Sequence, residues 1–148
     1  MIWLTHVVFS LFVGLFFQSY FSINAYAYFL LLAFAALLPD IDKRNSKIGN
    51  KVKPVSFFVE KTFGHRGVFH SIFVPILLAY GFSFYNLQFA QVFFIGYMSH
   101  LVADSFTKMG INYFHPLTTF RIKGFVQTGS MVEYIILFGL VVSSFYLL

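Results

Sequence analysis

Five apolar runs separated by short polar stretches leave this chain few ways to fold. They cover Ile2 to about Tyr20, about Asn24 to Leu38, Val68 to about Phe84, about Leu87 to Phe106, and Met131 to Leu148. A helix crosses the hydrocarbon core with about 20 apolar residues, in a range of roughly 17 to 25. Lipid offers the backbone no hydrogen bonds, so a spanning segment must be a helix or part of a closed barrel. Only 10% of the residues are charged, where a soluble domain carries about 25%. The runs therefore predict an all-α, polytopic membrane bundle of about five transmembrane helices. The second and third runs are short, and Pro39 closes the second. No repeat or low-complexity linker divides residues 1–148, which read as a single transmembrane helical domain.

The first run resembles a signal peptide only superficially. "AYA" at 25–27 looks like a cleavage site, but no Lys or Arg precedes the run. Its apolar stretch also exceeds the roughly 7 to 15 residues of such signals, so a true span is expected. Lys43, Arg44, Lys47, Lys51, Lys53, Lys61 and Arg66 lie between the second and third runs. Lys108, Arg121 and Lys123 lie between the fourth and fifth, and the other two loops hold no Lys or Arg. The positive-inside rule then puts the N-terminus in the cytoplasm and the C-terminus outside. Within the larger loop, "VSFFVEKTF" (55–63) reads either as a surface helix or as a loop packed on the bundle. The net charge of +5 is too sparse to line a nucleic-acid groove, so no nucleic-acid partner is expected. Nothing in the sequence specifies an oligomeric state.

With that topology, every ionisable group of metal-ligand type falls near one face. His6 begins the first span; Asp40 and Asp42 follow the second; His65 and His70 straddle the start of the third. His100 and Asp104 close the fourth, His115 lies in the following loop, and Glu133 opens the fifth. Ionisable groups within spans are costly and usually face a partner or a wet cavity. His100 and Asp104, at i and i+4, share one helical face and suit either one ion or a simple hydrogen bond. Asp40 and Asp42 project to one side of an extended segment, although such a pair also commonly ends a helix. Arg66 suits a phosphate bidentately or anchors at a headgroup. The absence of cysteine limits any metal site to His, Asp, Glu and backbone oxygen. One shared cation accounts for all of these positions at once.

The blocks "LPDIDKRNSKIG", "HRGVFHSI" and "GYMSHLVADSFTKMGINYFHP", in that order, resemble the family of LexA-regulated inner-membrane, membrane-bound metal-dependent hydrolases (YdjM-like). The resemblance runs from His6 to about Glu133. It implies a multi-pass protein of the inner (cytoplasmic) membrane with a divalent-metal centre and hydrolase activity. Carried over by position, Asp40, His65, His70, His100 and Asp104 match the family's strongest motif positions, with His6, Asp42 and Glu133 matching more loosely. The His and Asp pattern is also distantly similar to that of zinc-dependent phospholipase C, which uses an H-x-x-x-D helix in a multi-zinc site.

Together these point to two or more ions, zinc first and manganese, iron or magnesium as alternatives. The expected ligands are His6, Asp40, His65, His70, His100 and Asp104. Asp42 or Glu133 would serve as general base and Arg66 would steady phosphoryl charge. Metal-activated water attacking a phospholipid or other phosphoester suits a centre at the cytoplasmic interface, with membrane lipid as substrate or surroundings. The alternative is a metal-binding membrane protein without chemistry, serving transport, regulation or structure.

Overall fold

The computed structural model describes all residues except 44–45, 47–48, 55, 58–60, 62–66 and 148. Among the described residues the architecture is all-α, with five helices: α1 (Trp3–Phe17), α2 (Ala25–Leu37), α3 (Phe73–Ser83), α4 (Leu87–Ser105) and α5 (Met131–Leu147). Local chemistry sets several of the ends. The Asn24 side chain accepts from the Tyr26 and Ala27 amides at the start of α2, and Asn86 does the same for Phe89 in α4. Such caps satisfy amides that the first turn leaves without partners. Beyond α2, Pro39 sits near the start of a 3₁₀ turn, Leu38–Asp42, which carries both aspartates past the helix end.

α4 is the central element, packed by α1, α2 and α3, while α5 lies against α1. Glycine allows the closest approach. A Cβ at Gly96 of α4 would lie 2.8 Å from the Leu32 carbonyl oxygen and 2.9 Å from Ala35 Cβ. Close approach at small residues is how apolar helices associate in lipid. One buried cluster, Tyr28, Leu32 and Val92, fills the half of the bundle near the Asn caps. The other, Ala35, Phe93, Tyr97, Leu101 and Ile111, lies nearer the opposite end. Outward-facing apolar side chains such as Leu30, Leu77, Phe138 and Phe145 are 69–74% exposed, a surface suited to lipid rather than water.

Among the described residues, two segments are long and apolar enough to cross a membrane alone, Trp3–Tyr20 and Ala25–Asp42. α3 and α5 are apolar but shorter. The third run departs most from expectation: it is not one helix from Val68 to Phe84. Val68–His70 forms a separate 3₁₀ turn, and α3 starts only at Phe73. Pro75 falls in the first turn of α3, where its missing N–H costs no helical bond. The Ile72 amide is drawn off to the Tyr113 carbonyl at 2.9 Å. The stretch between α4 and α5 is also ordered, since Ile111 and Ile122 exchange two backbone hydrogen bonds of 2.9 Å. Within "VSFFVEKTF", the described residues Ser56, Phe57 and Lys61 are helical and the remainder lies outside the described residues.

Successive helices alternate in direction. α1, α3 and α5 therefore begin at the end where α2 and α4 finish. Tyr20, Tyr26, Tyr85 and Tyr146 are exposed at the other end, like the aromatic belts of membrane–water interfaces.

Candidate metal centre

At the shared end, four segments deliver side chains to one buried spot: the start of α1 (His6), the turn after α2 (Asp40, Asp42), the turn before α3 (His70) and the last turns of α4 (His100, Asp104). Asp42, His70 and His100 are fully buried, and His6 and Asp104 nearly so. His70 Nε2 lies 3.3 Å from His100 Nε2 and 3.7 Å from Asp104 Oδ2, and His100 Nε2 lies 3.9 Å from that same oxygen. The point equidistant from these three atoms is about 2.1 Å from each, matching zinc–nitrogen and zinc–oxygen bonds of roughly 2.0–2.2 Å.

The outer contacts decide which nitrogens face that point. His100 Nδ1 is 2.7 Å from the Ala36 carbonyl, which only accepts, so Nδ1 carries the proton and neutral Nε2 a lone pair. His70 Nδ1 donates likewise to Asp42 Oδ2 at 2.9 Å. Two lone pairs and a carboxylate oxygen then converge in a buried space, an arrangement that repels itself unless a cation sits among them. The carbonyl and carboxylate behind the imidazoles are partners of the kind that fix metal-ligating histidines. Asp104 points its other oxygen the opposite way, 3.4 Å from His6 Nε2 and 2.7 Å from the Met1 amine. The His6 ring stacks on His100 at 3.8 Å, and its Nδ1 is buried without a hydrogen-bond partner among the described residues. Donor atoms also group within 4.8 Å as His6, Asp40 and His100, and as Asp40, Asp42 and His70. The residues present fit one divalent cation closely, and the other two groups each share His100 or His70 with it.

Of the residues singled out from sequence, His6, Asp40, Asp42, His70, His100 and Asp104 come together. His65 and Arg66 lie outside the described residues. Glu133 is buried apart from these groups: Oε1 accepts from the Ile2 amide at 2.6 Å and Oε2 from the Gly129 amide at 2.7 Å. It thereby ties the start of α5 to the start of α1. Asp42 faces His70 and so has the geometry of an orienting carboxylate. Asp40 is the one of the cluster's carboxylates that is only half-buried. His115 is half-buried in the loop and joins none of the groups. Sequence reasoning missed the Ala36 carbonyl behind His100. It also missed Tyr97, whose hydroxyl donates to the Phe69 carbonyl at 2.7 Å and steadies the turn bearing His70. Neither contact has a local sequence signal.

These features define a class: an all-α inner-membrane protein with His and Asp side chains gathered into a buried centre at one end of its bundle. The chain belongs to the YdjM inner membrane protein family, whose profile matches residues 1–147. It is 36% identical over 117 residues to an uncharacterized protein, YvsG, of Bacillus subtilis, covering 77% of this chain and 73% of that one. It is 34% identical over 117 residues to the inner membrane protein YdjM of Escherichia coli, and equally to that of Shigella flexneri. Those alignments cover 73% of this chain but 60% of each relative, so the chain spans less than two thirds of YdjM's length. No solved structure matches it.

Proposed function

We propose that this chain is a membrane-embedded, metal-dependent hydrolase with its centre at the cytoplasmic face, acting on a phospholipid or another phosphoester. The observation that carries the proposal is the triangle of His70 Nε2, His100 Nε2 and Asp104 Oδ2, sized for one divalent ion. The orientation rests on Lys43, Lys51, Lys53, Lys61, Lys108, Arg121 and Lys123, all in the two loops that flank the centre. That placement puts the centre at the depth of lipid headgroups.

His70, His100 and Asp104 would hold the first ion, and His6 with Asp40 would contribute to a second. A divalent ion bound there supplies Lewis acidity and lowers the pKa of a coordinated water toward about 7. Asp42 holds the His70 ring in its donor orientation. With an ion bound, half-buried Asp40 would be the cluster carboxylate best placed to take a proton from attacking water, ahead of fully buried Asp42, which already accepts from His70. Glu133 supports the proposal less directly, because both its oxygens already accept backbone amides. Arg66, outside the described residues, enters the proposal on its sequence position alone, as the group that would steady phosphoryl charge.

Near-complete burial of the ligands favours a second reading, in which a closed site ties helix ends together without chemistry. One experiment separates the two. Metal content is measured by mass spectrometry on detergent-purified protein beside Asp104→Ala and His70→Ala, and phosphate-ester release is followed from phosphatidylglycerol vesicles with and without chelator. Metal lost in both variants together with chelator-sensitive release supports the hydrolase. Metal without release from lipid or soluble phosphoesters supports the structural tie. A folded wild type that takes up neither zinc nor manganese sinks both.

A further inference from the structure

The connector between α4 and α5 is not helical, yet it carries large apolar side chains on its surface. Leu117, Phe120 and Phe125 are 71–75% exposed, and Pro116 to Lys123 is exposed without a break. Exposed apolar surface of this kind marks contact with a membrane or with another protein. Charge decides between them. Lys108, Arg121 and Lys123 are exposed in the same connector, and no Asp or Glu lies between Asp104 and Glu133. Basic side chains among apolar ones match an anionic lipid surface, where each near-surface Lys or Arg is attracted to the headgroups. Position agrees. The chain belongs to an inner-membrane family, and the connector joins the end of α4 to the start of α5, where the bundle leaves the bilayer.

The connector's own order suits that place. Ile111 and Ile122 exchange backbone bonds of 2.9 Å, and the Lys108 and Val126 amides bond to the Val126 and Phe106 carbonyls at 2.9 Å. Asn112 closes the turn between them, its Oδ1 accepting from the Phe114 amide and the Thr118 hydroxyl. Few bare amides are then left to resist contact with acyl chains. Around the bridge at Ile122 the chain is extended, so successive side chains project to opposite sides. Phe120 and Ile122 share one side, Arg121 and Lys123 the other. The connector also reaches the centre, because the Tyr113 carbonyl accepts from the Ile72 amide, just beyond the turn that carries His70.

We infer that the connector between α4 and α5 is an interfacial anchor that lies along the membrane surface, with Leu117, Phe120 and Ile122 against the acyl chains and Arg121 and Lys123 on anionic phospholipid headgroups. The inference rests on the membrane location of the family and needs neither metal nor catalysis. Seated in this way, the connector braces the segment that leads from His70 into α3.

The chain has no cysteine, so a single introduced cysteine reports one position. Nitroxide labels are placed by Leu117→Cys, Phe120→Cys, Arg121→Cys, Ile122→Cys and Lys123→Cys in full-length protein in phosphatidylglycerol nanodiscs. Their collision with oxygen is compared with that of a water-soluble nickel chelate. Phe138→Cys, exposed on α5, is the lipid-facing reference that shows correct insertion. Labels at 117, 120 and 122 should approach that reference, while those at 121 and 123 should meet the chelate, an alternation of period two. In a second arm, the label at 117 is followed in micelles titrated with phosphatidylglycerol or phosphatidylcholine. Only phosphatidylglycerol should slow its motion, and Arg121→Gln should raise the half-saturating fraction roughly fivefold, the worth of one surface charge. Arg121→Lys, which keeps the charge, should not. Chelate-accessible labels at 117, 120 and 122 beside a lipid-facing label at 138 would overturn the anchor and give the surface to a protein partner or a second copy. An equal response to phosphatidylcholine, or indifference to Arg121→Gln, would overturn the headgroup contact. Neither arm reads metal or turnover, so their failure leaves the proposed hydrolase standing, and an inactive enzyme leaves the anchor standing.

Discussion

Asp42→Asn isolates the contact behind His70 with almost no change in volume. Asp42 Oδ2 and His70 Nδ1 are 2.9 Å apart, and both residues are fully buried. The asparagine can present its carbonyl, keeping a neutral hydrogen bond but losing the charge that makes the imidazole a better donor to metal. It can instead present its amide, which drives the His70 proton onto Nε2 and removes the lone pair facing His100. Either outcome weakens one corner of the triangle. Loss of such an outer partner typically costs 10–100-fold in metal affinity, or about 1.4–2.7 kcal/mol. The assay is competitive titration of zinc against a chromophoric chelator in detergent, with stoichiometry read at saturation. Weaker affinity at unchanged stoichiometry is expected. An affinity within about twofold of wild type would refute the orienting role, and loss of a whole equivalent of zinc at saturation would show Asp42 to be a direct ligand.

Gly96→Ala should lower the unfolding temperature in detergent by an amount equivalent to about 1–3 kcal/mol, because its Cβ meets backbone atoms of α2. Gly139→Ala, with nothing within 4 Å of the added carbon, should be neutral or stabilising by about 0.5–1 kcal/mol. Glu133→Gln weakens the carboxylate's hold on the Ile2 and Gly129 amides and should cost about 1–3 kcal/mol by denaturant titration. The loss should be equal with and without chelator, since this tie lies outside the centre. Stripping metal from the wild type should lower its unfolding temperature and zinc should restore it, because binding to the folded state alone stabilises that state; an unchanged unfolding temperature contradicts a bound ion.

Much of the fold and the site was legible because lipid imposes a simple grammar. Apolar runs located α1, α2, α4 and α5 nearly to the residue. They failed at α3, where hydrophobicity continues through Val68–Phe73 although the backbone breaks. The sign was Pro75, which marks a first turn, but the Ile72 bond to Tyr113 depends on a segment some forty residues away. In the site, ligand types at a common depth were enough to nominate His6, Asp40, His70, His100 and Asp104. The roles behind them were not legible. Asp42 and Glu133 look alike in sequence, yet one faces an imidazole and the other grips two amides. That difference arises from tertiary packing and has no periodicity to betray it.

The shortness of α3 has a mechanical consequence for the surrounding bilayer. α3 has 11 residues, spanning roughly 16 Å, against a hydrocarbon core of about 30 Å, whereas Trp3–Tyr20 and Ala25–Asp42 are long enough to cross it. A lipid sheet meeting so low an apolar wall bends toward it, at fractions of a kcal/mol per Å of mismatch. The bilayer beside α3 should therefore thin locally. The 3₁₀ turn that carries His70 directly precedes α3, so such thinning falls beside the His and Asp cluster.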